Sequence, residues 1–207
     1  MRSLASRHRT SLALAACWAG STVVLAMLSD TTAEHVMLQA STTLPRLTSW
    51  PWTLPASGLL VREHLPVWLL ALLLGAGQLE REVGWQRTAV LLAAVHVGAT
   101  AFSQALLAVR TALELAPQEL LSQVDVGPSY LAVAGLSAAI VVAPTMARRI
   151  LPASALLVGL PELLEGLGRA DLAATGHAAA AVLGLVGGGW LRHRAVRADP
   201  AGSTAAP

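Results

Sequence analysis

The sequence predicts an all-α membrane protein, a polytopic helical bundle with six transmembrane helices. Three observations carry that expectation. Apolar residues make up 55% of the chain and charged residues only 13%, a balance that suits a bilayer better than water. Six apolar stretches recur along the chain, most of them near the ~20 residues needed to cross the hydrocarbon core. The arginines, finally, collect at alternate connections, the pattern of the positive-inside rule.

The stretches run Thr10 to Leu28, Leu59 to Leu79, Thr88 to Val109, Pro128 to Ala147, Ile150 to Leu164 and Leu172 to Leu191. The first follows Arg2, Arg7 and Arg9 and looks at first like a cleavable signal. It is longer than an h-region and no small-x-small site follows, so a retained signal anchor is expected. Loop 29–58 is the largest extramembrane piece, expected as irregular chain or a short helix at the headgroups. Trp50 and Trp52 would anchor it there, between Pro45, Pro51 and Pro55. The fifth stretch is the shortest and holds Pro152 and Pro161, which a helix shielded by neighbours tolerates. The chain thus divides into an N-terminus (1–9), a membrane domain (10–191) and a polar tail (192–207), disordered after Arg197.

Orientation follows from charge. Arg2, Arg7, Arg9, Arg81, Arg87, Arg148, Arg149, Arg192, Arg194 and Arg197 fall on one side of this six-span arrangement. The other side has Arg46, Arg62, Arg110 and Arg169 with most of the acids, so both termini are expected in the cytoplasm. The chain has no lysine, and its dispersed arginines form no nucleic-acid patch. Cys17 is the sole cysteine, which excludes an intramolecular disulfide or a cysteine zinc site; it reads as a small buried filler.

The chemistry concentrates at Ser129, His177 and His64. Spans two, four and six run in the same direction, and each carries one of these residues within roughly 10 Å of the outer surface at ~1.5 Å rise per residue. Polar side chains inside spans are costly and mark functional sites. A serine and a histidine at one depth can form a nucleophile and base. Singly, each has a structural reading: a serine bonding its own backbone, a packing histidine, a histidine facing headgroups. Together they point to a shared pocket open to external water. Gly127 and Pro128 make a helix start, which puts Ser129 in the first turn, where free backbone N–H groups can hold an oxyanion. Ala180, Gly184 and Gly187 or Gly188 share a face with His177, and Ala132, Gly135 and Ala139 form a second small stripe. Small stripes let helices approach closely, as needed to bring a serine oxygen within ~3 Å of an imidazole nitrogen. His96, in mid-span, reads as an interhelical bond; His8 and His35 read as solvated.

Other chemistries lack their residues. There is no His-Glu-x-x-His motif, no intramembrane carboxylate pair, no phosphate loop and no charged relay for ion transport, so no metal or cofactor is expected.

The chain resembles the rhomboid family of intramembrane serine proteases. His64 precedes Glu80-Arg-Glu-Val-Gly84, Gly127-Pro-Ser129 matches the start of the serine motif, and His177 with Gly184 matches the last motif, Ala180 standing at its inner glycine. The resemblance spans about Leu59 to Gly188. It implies a rhomboid-like fold, Ser129 as nucleophile, His177 as general base, and an oxyanion hole from His64 and the Ser129 N–H. Glu80 and Gly84 would tie span two to the following loop. Substrates would be single-span membrane proteins cut near the outer leaflet. Three positions depart from the family: Trp68 replaces an oxyanion-hole asparagine, Tyr130 a glycine, and Val133 a tyrosine that stacks on the histidine. Tyr130, with Gly127, is a candidate auxiliary residue as donor or stacking partner. The competing expectation is a silent rhomboid-like relative that binds or escorts transmembrane helices.

Overall fold

The computed structural model describes residues 8–198, and its regular structure is helical, with no strand among the described residues. Arg2, Arg7 and the tail from residue 199 lie outside them, and with them most of the stretch expected to be disordered.

Helix α1 (Arg9–Met27) leads into a segment of three short helices, α2 (Asp30–Ala40), α3 (Leu44–Ser49) and α4 (Thr53–Ser57). Next, α5 (Leu65–Leu72) continues through a π-helical turn, Leu73–Gly77, into α6 (Gln78–Val83). Then come α7 (Trp85–Ala112), a 3-10 turn (Gln118–Ser122), α8 (Ser129–Val142), α9 (Met146–Leu163), a second turn (Leu167–Arg169) and α10 (Leu172–Ala198). Each of the six apolar stretches contains a helix. By length and composition three helices can cross a membrane: Arg9–Met27, Trp85–Ala112 and Leu172–Arg194. Of the others, α8 has only 14 residues and α9 carries Arg148, Arg149 and two internal prolines.

Several boundaries differ from expectation. The second apolar helix begins at Leu65, not Leu59, because Pro66 fits a first helical turn and His64 takes a left-handed N-cap conformation (φ 56°). The last helix runs past Leu191 to Ala198. In loop 29–58 the short-helix alternative holds, as three short helices rather than irregular chain, and Ser29 caps α2 by accepting from the Thr32 N–H. Cys17 is exposed on α1 rather than buried.

The core is built around α8, where every residue from Tyr130 to Ala139 is buried, as suits a helix apolar on all sides. Small residues set its distances. A Cβ at Gly75 would lie 2.7 Å from the Gly135 carbonyl carbon, so the π-turn and α8 touch backbone to backbone. On the other side, a Cβ at Gly184 would sit 2.8 Å from the Ala134 carbonyl, and one at Gly188 2.9 Å from Ala138 Cα. The two small stripes expected to face each other therefore serve different neighbours. Gly135 meets the second apolar helix, and α10 packs on Ala134 and Ala138. Gly187 turns to Leu91 of α7.

The start of α1 is capped from far along the chain. Buried Glu80 accepts the Thr10 N–H (2.6 Å), the Ser11 N–H (3.1 Å) and the Ser11 hydroxyl, satisfying donors that lack helical partners. His8 is not free in solvent but lies 3.6 Å from the same carboxylate. Glu80 thus joins the second apolar helix to the first, whereas the expected tie was to the following loop. That turn is made by Gly84, whose backbone (φ 87°, ψ 156°) excludes a side chain.

Candidate active site

The segment that delivers Ser129 is stitched to loop 29–58. The Asp125 N–H donates to Ser41 Oγ (2.9 Å), the Thr42 hydroxyl donates to Asp125 Oδ2 (3.3 Å), and the Gly127 N–H donates to the Ser57 carbonyl (2.9 Å). Gly127 holds φ 153°, which lets the chain turn into α8. Ser129 is the first residue of that helix, after Pro128, and the first helical bond closes from Ala132 N–H to the Pro128 carbonyl. The amides of Ser129, Tyr130 and Leu131 therefore precede the ladder, at the positive end of the helix. Burial pushes the Asp125 carboxyl above the usual carboxylate range, and hydrogen bonds from Tyr130 and Thr42 partly offset it.

His177, half-buried near the start of α10, is held from two sides. Its Nδ1–H donates to the Leu163 carbonyl at the end of α9 (2.7 Å), which leaves Nε2 with the lone pair in the neutral ring. Buried Tyr130 meets it edge-on, with ring centroids 5.3 Å apart. Gly176 makes room for that ring, since a Cβ there would collide with the Tyr130 hydroxyl.

His64, Ser129 and His177 line a single cavity of about 530 Å³, together with Trp68, Val133 and Glu162. Sequence reasoning nominated all three, and the fold brings them together. Their geometry differs from expectation in two ways. His64 sits at the N-cap of α5, not within a span, with its side chain 72% exposed. Among the described residues no hydrogen bond joins Ser129 to His177, whose imidazole is bonded to the Leu163 carbonyl and packed against Tyr130. Tyr130 and Gly127 are not on the cavity lining; the Tyr130 ring instead meets the imidazole edge-on. His96 does make an interhelical bond, but to α4 of loop 29–58: its Nε2–H donates to the Leu54 carbonyl (2.8 Å) beside Ser57.

Three contributors gave no sign in the sequence. The Leu163 carbonyl is backbone, Asp125 looked like a loop acid, and Glu162 sat at the end of the least regular stretch. Among the described residues no group of three His, Cys, Asp or Glu side chains could hold a metal ion.

A family model described as Rhomboid-like protein matches residues 7–196. The chain belongs to the rhomboid-like family. Neither the curated proteins nor the solved structures contain a match to it. As a rhomboid-like protein with long apolar helices it is a membrane protein, from a family that includes intramembrane proteases and inactive homologues. Within the rhomboid-like match lie His64, Glu80, Gly84, Gly127, Ser129, His177 and Gly184, the positions that carry the motifs.

Proposed function

We propose that this rhomboid-like protein is an intramembrane serine protease that cleaves single-span membrane proteins near the outer leaflet. The observation that carries the reading is the shared cavity: a serine at a helix start, a histidine with a free lone pair, and a second histidine at the mouth. In the reaction, Ser129 Oγ attacks the peptide carbonyl and its proton passes to His177 Nε2. The Ser129 N–H and His64 hold the oxyanion, and His177 returns the proton to the leaving amine. Water then hydrolyses the acyl-enzyme by the same route.

The same reading takes all six apolar helices as spans, with both termini in the cytoplasm of the plasma membrane. The arginine distribution supports it. So does the length of α8: at ~1.5 Å per residue its 14 residues cover roughly 21 Å, short of the ~30 Å hydrocarbon core, so its serine end is recessed among longer helices.

A second reading, a silent relative that binds transmembrane helices, is favoured by Trp68 on the cavity wall and by the missing Ser129–His177 hydrogen bond. Fluorophosphonate labelling of the detergent-purified protein separates the two. The protease reading expects labelling of the wild type and none of Ser129→Ala or His177→Ala. Equal labelling of all three, or none of any, leaves the binding reading standing.

A further inference from the structure

Away from that cavity, α7 and α10 part at their arginine-bearing ends and leave a slot of about 380 Å³. Val90, Leu91 and Ala94 of α7 form one wall and Trp190 of α10 stands opposite, with Arg87 and Arg194 at the mouth. Val90 is 69% exposed, so the slot opens sideways, toward lipid in a membrane-embedded chain.

The two arginines lack a carboxylate partner, as do Arg81, Arg149 and Arg192 among the described residues, whereas Arg62, Arg148 and Arg169 each pair with a carboxylate. Arg194 is instead held over the Trp190 ring, 4.0 Å from its centroid. Arg87 lies in the first turn of α7, whose ladder starts only at the Thr88 N–H, so the partial positive charge of that helix end adds to its guanidinium, whereas Arg194 lies near the C-terminal end of α10, where the helix charge has the opposite sign. An apolar slot between two spans, closed at one end by two unneutralised cations, matches a molecule with an anionic head and an apolar tail.

We propose that this slot binds an anionic phospholipid of the leaflet facing the arginine-rich helix ends. The phosphate sits between Arg87 and Arg194, and an acyl chain lies along Val90 and Ala94 beside Trp190. A free phosphate would leave its apolar walls bare. The site rests on the membrane embedding described above and is independent of hydrolysis.

Native mass spectrometry of the full chain in uncharged detergent, with equimolar dioleoyl phosphatidylglycerol and dioleoyl phosphatidylcholine, tests it. The wild type retains the first phosphatidylglycerol roughly tenfold over phosphatidylcholine. Arg87→Gln/Arg194→Gln brings the ratio to parity, while Arg46→Gln/Arg62→Gln, altered outside the slot, leaves it unchanged. Ala94→Trp fills the slot and lowers phosphatidylglycerol retention with both arginines present. Circular dichroism checks that all variants keep wild-type helicity. No preference in the wild type, persistence of the preference in the first double variant, its equal loss in the second, or displacement of the lipid by millimolar inorganic phosphate overturns the site.

Discussion

The Tyr130 ring stands edge-on to the His177 imidazole, centroids 5.3 Å apart and planes at 80°. The tyrosine hydroxyl in turn donates to Asp125 Oδ2 (3.4 Å), and the Thr42 hydroxyl donates to the same oxygen. The orientation of the histidine therefore depends on a chain of contacts that ends in loop 29–58.

Tyr130→Phe keeps the ring against His177, so fluorophosphonate labelling of Ser129 should fall by no more than about threefold. Tyr130→Ala removes a buried aromatic ring. It should cost about 3–5 kcal/mol in stability and lower labelling roughly tenfold or more, as the imidazole loses its support. Wild-type labelling rates in Tyr130→Ala would exclude the positioning role.

Asp125 makes stability pH-dependent in a defined direction. Its folded-state pKa is raised above the unfolded value of 3.8, so the folded chain holds this proton more tightly. That contribution is fully present below the unfolded value and is lost as pH rises through the folded pKa. Asp125→Asn keeps an acceptor for Thr42 and Tyr130 but cannot ionise. Melting in detergent from about pH 4 to about pH 7 should show the wild type losing ground to the variant as pH rises. A constant difference would contradict the burial of this carboxyl.

Gly75→Ala and Gly184→Ala each drive a methyl into backbone on opposite sides of α8. Each should destabilise by about 1–3 kcal/mol. Gly184→Ala, which pushes α10 off the serine helix, should also depress labelling. Gly20→Ala, where a Cβ meets nothing within 4 Å in a helix interior, is the control: it should leave labelling unchanged and raise stability by up to about 1 kcal/mol.

Glu80→Ala strands three donors at the start of α1. Thermal melting should report a loss of about 2–4 kcal/mol, and Glu80→Gln, which keeps the acceptor oxygen but not the charge, should lose less.

Much of this was legible in the sequence because bilayers impose strong rules. Apolar length located all six helices, and the scarcity of polar residues in and beside them isolated Ser129, His177 and His64. Helix ends were legible only where a residue type forces them. Pro66 and Gly127 do so, and weighing Pro66 would have moved the second helix start to Leu65. The partners of small residues were not legible. Periodicity places Gly135 and Gly184 on faces, but which face meets which depends on packing among several helices. The His177 anchor escaped for another reason: every residue has a carbonyl, so nothing marks that of Leu163.

The carboxylate that completes the start of α1 lies 70 residues further along the chain. As the polypeptide leaves the ribosome, the first helix therefore emerges with a frayed beginning and stays so until the second hairpin arm has been made. Biogenesis acquires an order: the leading rod is seated only after its later companion arrives, and truncation before Glu80 would leave it unlatched.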